Sequence, residues 1–193
     1  MPLDEQEAVR RLQQGDVGGL EPLVHAYYAR AVGSAYLVTR DRALAYDVTQ
    51  AAFVKAYERI GQLDPGRPFG PWFLKTVLRD AVKAAVRRQR QLPLSSVLTD
   101  GDEYPIPVGA AGPLGPEALL EQQETAAAVA AVLATLPPAD RAVIVQRYYL
   151  ELSEAEMAAA LGCPRGTIKS RLHAARERLR ELLRPLITHT EAS

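Results

Sequence analysis

The segment 92–116 is the strongest constraint on the fold of this 193-residue chain, because it holds five prolines and four glycines. Proline fixes φ, removes a backbone donor and disfavours helix at the residue before it. The segment carries no periodic apolar pattern and has a small acidic cluster at Asp100, Asp102 and Glu103. We therefore expect a semi-extended linker. It would separate a first domain, residues 1–91, from a second domain, residues 117–186, with a tail at 187–193.

Apolar residues in the first domain follow helical spacing. A stripe with intervals of three and four residues begins at Leu20 and predicts a helix with one buried face. Asp41 can cap a second helix that ends near Ile60. The core stripe predicted for that helix is Val48, Ala52, Phe53, Ala56 and Ile60. Turn-forming residues then predict a loop, and a third helix follows over residues 71–91.

Helical spacing also extends through the second domain. Residues 119–136 and 139–150 predict two helices, separated by the pair Pro137 and Pro138. Together with the first domain, this pattern predicts an all-α chain that consists of two small helical domains.

The second domain ends in two helices joined by a tight turn. Ser153 and Glu156 form a capping-box pattern, and Gly162 closes that short helix. Pro164 suits the start of a last helix that extends to about Leu183. Its predicted buried stripe is Ile168, Leu172, Ala175, Leu179 and Leu182. A short helix, a glycine turn and a longer basic helix are typical of a helix-turn-helix.

The charge is neutral overall but strongly basic in two segments. The chain has 23 basic and 23 acidic residues, yet residues 75–90 hold six bases against one acid. Residues 163–185 hold seven bases against two acids. Charge alone favours two solvated helix faces, so the arrangement of the bases has to decide their role.

Composition and motifs disfavour several functional classes. The single cysteine, Cys163, cannot form an internal disulfide. The first residues lack an apolar signal region, and no stretch is apolar enough to span a membrane. There is no glycine-rich phosphate loop, HExxH or CxxC, and the three histidines lie in different predicted elements. We expect a cytoplasmic protein that is not an enzyme and has no cofactor or metal.

The bases of the last helix share one face. They follow one another at intervals of four, four, three and four residues, at Arg165, Lys169, His173, Arg176 and Arg180. A helix that reads a DNA groove needs a packed side that fixes its angle and an opposite side that presents donors to phosphates and base edges. Because its side chain is small, Ser170 would allow the helix to approach the DNA closely. The alternative is an ordinary helical hairpin, but cap, turn, apolar stripe and basic face together favour DNA binding.

The third helix of the first domain carries another basic row, Lys75, Arg79, Lys83 and Arg87. The aromatic residues Phe69, Trp72 and Phe73 lie just upstream. Such a pattern suits single-stranded nucleic acid, because bases stack on the rings while cations follow the phosphates. Each aromatic residue taken alone is more simply a core residue.

The second helix has one face outside its core stripe, formed by Asp47, Gln50, Val54 and Glu58. A mixed face of this kind is either solvated or docks on another helical protein. The residues alone favour solvent.

Two long segments resemble parts of one known family. The more specific is LPPADRAVIVQRYYLELSEAEMAAALGCPRGTIKSRLHAARERLRELL, and the other is AYDVTQAAFVKAYERIGQLDPGRPFGPWFLKTVLRDAVKAAVRRQR. They resemble regions four and two of the sigma factors of bacterial RNA polymerase. The chain is similar to the small extracytoplasmic-function (ECF) group, which keeps only these two regions.

This resemblance implies a promoter-specificity subunit that binds core RNA polymerase, recognises the minus-ten and minus-thirty-five elements and assists strand opening. The implied minus-thirty-five contacts are Arg165, Thr167, Lys169, Ser170, Arg171, His173 and Arg176. The implied contacts to the melted minus-ten strand are Phe69, Trp72, Lys75, Arg79 and Lys83. The implied polymerase-binding residues are Asp47, Gln50 and Val54. The linker would thread through the polymerase cleft, and an anti-sigma factor would hold the protein inactive.

The chain departs from the family pattern at four positions. Arg79 stands where the family often has an asparagine that helps to recognise a flipped base. Tyr46 replaces a glutamate beside Asp47, and Ala174 replaces an arginine after His173. Met157 replaces an isoleucine, which is a tolerable exchange in a core.

Two other functions remain open from the residues. A free-standing helix-turn-helix regulator would form a dimer on palindromic sites, because two-fold proteins read two-fold DNA. An adaptor that binds polymerase but not DNA would tolerate neutralisation of both basic faces.

Overall fold

The computed structural model describes residues 4–64, 66–91, 129 and 131–190. The chain divides into two compact units, Met1–Gln91 and Leu92–Ser193. Within the described residues every regular element is helical, so the predicted all-α class is confirmed. The segment 92–116 and most of the helix predicted over 119–136 lie outside the described residues.

The first unit consists of four α-helices and two short 3₁₀ turns in its described part. The helices are α1 (Glu5–Gln13), α2 (Leu20–Thr39), α3 (Arg42–Arg59) and α4 (Phe69–Gln91). The 3₁₀ turns are Val17–Gly19, before α2, and Ile60–Gln62, after α3. Helix α4 thus begins two residues before the position predicted from the sequence.

Helix α2 is the centre of the first unit. It packs against α1, α3 and α4, and every residue from Ala31 to Thr39 is buried. The sequence predicted only one buried stripe. This second half of α2 has no solvent face, as expected for a helical segment that is covered on all sides, and the apolar run AVGSAYLV permits this because its small residues let neighbouring backbones approach.

The core of the first unit contains a cluster of aromatic rings from three helices. Phe53 of α3 lies 4.3 Å from Phe73 of α4 between ring centroids, and Phe69 lies 5.2 Å from Phe73. Tyr27 of α2 lies 5.5 Å from Phe69. Offset aromatic contacts at such distances add to the free energy gained by burying the rings. The cluster fixes how α4 is oriented against α2 and α3.

Helix α3 forms as predicted. Asp41 is its N-cap, and the carboxylate accepts a hydrogen bond from the N–H of Leu44 at 2.8 Å. The same carboxylate forms an ion pair with Arg88 near the end of α4. The predicted core stripe of α3 is buried throughout. One aspartate therefore starts one helix and holds the end of another.

The described part of the second unit comprises α5 (Pro138–Ile144), a π-helical turn (Val145–Tyr149), α6 (Glu154–Leu161) and α7 (Arg165–Thr190). The sequence predicted a single helix over 139–150. Its second half instead forms the π-helical turn. Such turns are uncommon and often lie near functional surfaces.

The buried stripe predicted for α7 is correct only in the first half of the helix. Ile168, Leu172 and Ala175 are buried as expected, but Leu179 is half-buried and Leu182 is 39% exposed. Helix α7 has 26 residues, whereas α5 and α6 have seven and eight. At 1.5 Å per residue, α7 extends far beyond the two helices that cover its first half. It also continues past the predicted end near Leu183.

We predict that Gly70→Ala lowers the free energy of unfolding of the first unit by about 1–3 kcal/mol, a typical cost of overpacking. A Cβ built at Gly70 would lie 2.6 Å from Cε1 of Tyr27. Gly61→Ala is the matched control, because a Cβ there meets nothing within 4 Å. Trp72 is the only tryptophan in the chain, so its fluorescence during denaturant unfolding measures the first unit selectively. Equal stability of the two variants would contradict the prediction.

Candidate nucleic-acid and polymerase interfaces

The second unit contains the predicted helix-turn-helix, formed by α6 and α7. At the start of α6, the Ser153 N–H donates to Glu156 Oε2 at 2.8 Å and the Glu156 N–H donates to Ser153 Oγ at 3.3 Å. The Ser153 hydroxyl also donates to Glu156 Oε2 at 2.7 Å, and the hydrogen bonds from this hydroxyl and from the Ser153 N–H lower the pKa of Glu156 below its usual value. Gly162 ends the helix with φ of +64°, a conformation that favours glycine. The predicted capping box and glycine stop are both present.

Packing between the two helices fixes the face that α7 turns to solvent. Met157 and Ala160 of α6 are buried, as are Ile168 and Leu172 of α7. The replacement of the common isoleucine by Met157 is therefore a core exchange. Arg165, Lys169 and His173 remain exposed along one side of α7.

One exposed line of α7 changes from small to acidic residues along the helix. It follows intervals of four, four, three and four residues through Gly166, Ser170, Ala174, Glu177 and Glu181. The first three are small, and the last two are acidic. A phosphate backbone can approach the small residues of the first three turns closely, whereas in the following turns Glu177 and Glu181 offset the charges of Arg178 and Arg180. The hydroxyl of Ser170 donates to the Thr167 carbonyl at 3.0 Å.

Arg176 is held by an aromatic side chain that the sequence analysis did not single out. Its Nε donates to the Tyr148 hydroxyl at 2.9 Å, and its guanidinium lies 5.7 Å from the centre of that ring. Tyr148 belongs to the π-helical turn and is 60% exposed. No sequence spacing connects two residues 28 positions apart. The contact fixes Arg176 at the edge of the basic side of α7.

Arg171 differs from the other implied contacts of α7. It is half-buried and lies close enough to Asp140 of α5 to lower the pKa of that carboxyl. Burial of Asp140 is the larger effect and raises its pKa, and Arg178 acts in the same direction as Arg171. Arg171 thus faces α5 as well as solvent, and part of its charge serves the packing of the domain.

Helix α4 turns one row of side chains outward. Trp72, Lys75 and Arg79 are half-exposed and Lys83 is exposed. Phe69 is fully buried and packs against Tyr27, Trp72 and Phe73. This corrects the sequence-based expectation that Phe69 contacts DNA, because a ring without exposed surface cannot stack on a base.

Arg79 lies beside a carboxylate. Its Nε is 3.8 Å from Asp80 Oδ1, and Lys55 of α3 approaches Asp80 Oδ2 at 2.6 Å. The Arg79 Nε is buried and makes no hydrogen bond. The residue that replaces the family's asparagine is therefore held on the surface of α4 by charge rather than by a hydrogen bond.

The outer face of α3 is exposed along its length. Asp47, Gln50 and Glu58 are exposed, and Val54 is 57% exposed. Tyr57, three residues after Val54, adds a further apolar side chain to this face. Sequence reasoning missed Tyr57, although its three-residue interval from Val54 was visible. Tyr46, which replaces a glutamate, lies against Arg42 at 5.7 Å from guanidinium to ring centre.

No group of three or more metal-binding side chains occurs among the described residues. In the same part of the chain, no helix is both long and apolar enough to cross a membrane.

Comparison with known proteins identifies both units. Residues 23–91 match the family model described as Sigma-70 region 2, and residues 126–179 match the one described as Sigma-70, region 4. The RNA polymerase sigma-H factor of Pseudomonas aeruginosa is 30% identical over 184 residues, which cover 95% of each chain. The ECF RNA polymerase sigma-E factor of Escherichia coli strain K12 is 31% identical over 188 residues, covering 96% of this chain and 97% of that protein.

Two solved structures share the fold, each at a TM-score of 0.62 and 22% sequence identity. The structure of CnrH in complex with the cytosolic domain of CnrY covers 94% of this chain and 97% of that one. The sigma factor RpoE of Bartonella quintana, solved with the anti-sigma factor NepR, covers 87% of this chain and 98% of that one.

Two sigma-70 regions in this order, one of them carrying a helix-turn-helix, define a sigma factor of RNA polymerase. The chain belongs to the ECF sigma factors, as its curated relatives over nearly its whole length show. Its function is that of a promoter-recognition subunit of RNA polymerase.

We predict that Trp72→Ala weakens binding of the melted minus-ten strand by about 1–3 kcal/mol, the usual contribution of one base stacked on an aromatic ring. Binding should also quench the fluorescence of Trp72 in the unaltered chain. Tyr148→Ala is the control, since it removes an exposed ring from the other unit. Anisotropy of a labelled single-stranded oligonucleotide measures both affinities. Wild-type affinity in the Trp72 variant would rule out this ring as a stacking platform.

Proposed function

We propose that the two domains divide promoter recognition between them. Residues 1–91 bind core polymerase and capture the melted non-template strand of the minus-ten element. Residues 117–186 read the minus-thirty-five element as duplex. The protein works in the cytoplasm and performs no covalent chemistry. Capture of unpaired bases offsets the free-energy cost of separating them and so favours strand opening.

The observation that carries this proposal is the outward row on α4. Trp72 lies at the start of the row, and Lys75, Arg79 and Lys83 follow it at intervals of three and four residues on the partly exposed side of α4 that borders the buried aromatic cluster. A stacking ring followed by cations along one line matches the repeat of bases and phosphates in a single strand.

The minus-thirty-five contacts belong to the first three turns of α7. Arg165, Lys169 and His173 present donors there beside the small residues of the exposed line. Thr167 and Ser170 add hydroxyl groups. Arg176, which donates to the Tyr148 hydroxyl, is the last residue of the set. Arg171 contributes long-range attraction to phosphate while it faces Asp140.

The polymerase-binding surface is the outer face of α3. Asp47 and Gln50 supply polar groups, and Val54 with Tyr57 supplies exposed apolar surface. An apolar centre beside a charged residue is typical of a specific protein interface. The same surface suits an anti-sigma partner, which would inhibit the factor by covering it.

The experiment that tests the function is run-off transcription with purified core polymerase on a library of promoter fragments. Transcripts that appear only when the protein is added, with common sequences at both upstream positions, would support the proposal. Absence of such transcripts, together with no co-elution with core polymerase, would overturn it in favour of a free-standing DNA-binding regulator.

We predict that Asp47→Lys lowers the affinity for core polymerase at least tenfold, because it reverses a charge at the N-terminal end of the α3 face, beside its apolar centre. Truncating or reversing a partner of an interface charge pair commonly costs 2 kcal/mol or more. Glu21→Lys makes the same change at an exposed position of α2 and should bind normally. Size-exclusion co-elution and titration with labelled core measure the difference. A variant at Asp47 that still co-purifies with polymerase would exclude this docking surface.

We predict that Lys169→Ala and His173→Ala each weaken binding to duplex minus-thirty-five DNA about tenfold, the usual scale for one groove contact. Arg180→Ala should change affinity less than about twofold, because Arg180 lies beyond the first three turns of α7 and pairs with Glu177. Footprinting and anisotropy across a salt series provide the measurement. Equal losses of DNA affinity in the Lys169, His173 and Arg180 variants would show that DNA contact extends beyond the third turn of α7.

A further inference from the structure

Helix α1 contacts both ends of the loop that precedes α4. This loop, residues 61–68, connects the end of α3 to the start of α4 and is called the α3–α4 loop below. Before the tip of the loop, one α1 side chain hydrogen-bonds to the backbone at Ile60 and Leu63. After the tip, another α1 side chain hydrogen-bonds to the backbone at Phe69. Helix α1 lies outside the residues matched by the region 2 family model, which begin at residue 23.

Glu5 holds the far end of the loop. Its Oε1 accepts a hydrogen bond from the Phe69 N–H at 2.7 Å, and its Oε2 accepts one from the Tyr27 hydroxyl. The first N–H groups of a helix have no partner inside the helix, so Glu5 satisfies one of them for α4. Burial and the contact with Glu5 raise the pKa of Tyr27, which stays protonated as a donor.

Gln13 holds the near end of the loop. Its Nε2 donates to the Leu63 carbonyl at 3.0 Å and to the Ile60 carbonyl at 3.2 Å. Gln13 is itself exposed, so the residue contributes little to the hydrophobic core. Its bonds fix the loop where it leaves α3.

Helix α1 is packed closely against the rest of the first unit. Ala8 and Leu12 are buried against the first unit. A Cβ at Gly19 would lie 2.4 Å from the Ala8 carbonyl oxygen, so the backbones of α1 and the following turn are in direct contact. Between its two supports the loop is exposed at Asp64, Gly66 and Arg67.

We propose that Glu5 and Gln13 are positioning residues, which fix the α3–α4 loop and the start of α4 so that Trp72 is held in place to stack on a base of the melted minus-ten strand. The proposal deepens the proposed function and rests on it. Hydrogen bonds at both ends restrict the loop before DNA binds, so less conformational entropy is lost on binding. Trp72 lies in the first turn of α4, next to the end that Glu5 fixes, so the stacking ring and the loop are positioned together.

The test replaces Gln13 in two ways. Gln13→Leu keeps the size of the side chain and removes the donor, whereas Gln13→Lys keeps a long stem and a donor. Gln6→Leu is the matched control, because Gln6 is exposed on the same helix. Glu5→Ala tests the other support. Four quantities are measured on the full-length protein: affinity for a single-stranded oligonucleotide of the minus-ten sequence found by run-off mapping, affinity for duplex minus-thirty-five DNA, affinity for core polymerase, and the unfolding midpoint.

We expect Gln13→Leu and Glu5→Ala to lower affinity for the single strand roughly three- to tenfold, the range that the loss of one or two net hydrogen bonds gives. Affinity for duplex DNA and for core polymerase should not change, and Gln13→Lys should restore single-strand binding. Wild-type single-strand affinity in Gln13→Leu, or an equal loss in Gln6→Leu, would overturn the proposal. So would no rescue by Gln13→Lys. If the unaltered protein fails to bind the strand or to direct transcription, the proposed function fails instead.

Discussion

Burial of Phe69 and Phe73 against Phe53 and Tyr27 fixes the rotation of α4 about its axis, and the functional surface of the first unit depends on it. Because one side of α4 is committed to these rings, Trp72 and the basic row lie on the bordering side, where they keep exposed surface. Glu5 and Gly70 protect the same contact: Glu5 binds the first N–H of the helix, and the missing side chain at Gly70 leaves room for the Tyr27 ring. The packing that forms the core of the first unit therefore also determines which side chains of α4 are exposed to nucleic acid.

Local signals predicted much of the fold. The cap at Asp41, the capping box at Ser153 and the stop at Gly162 depend on residues within four positions of one another, so the sequence contains the whole interaction. The buried stripe of α3 was predictable for the same reason, because spacing determines which side chains share a face. The resemblance to ECF sigma factors rested on long segments and was confirmed by relatives that cover nearly the whole chain.

Contacts between distant residues were not predictable. The sequence could not show that Phe69 is covered while Trp72 is not, since both precede the same basic row. Spacing treats Leu182 like Leu172, but only the neighbouring helices decide where the covered part of α7 ends. The pairing of Tyr148 with Arg176 and of Gln13 with the α3–α4 loop joins residues 28 to 50 positions apart. The roles of individual site residues therefore remain proposals that rest on exposure and charge.

The change from small to acidic residues along α7 also limits how much duplex the helix can cover. From Arg165 to Arg176 the helix rises about 17 Å, which is about the rise of five base pairs. Beyond that point Glu177 and Glu181 face outward. If the first turns of α7 make the minus-thirty-five contacts that we propose, the helix reads a window of about this length, and base changes outside that window have little effect on its affinity.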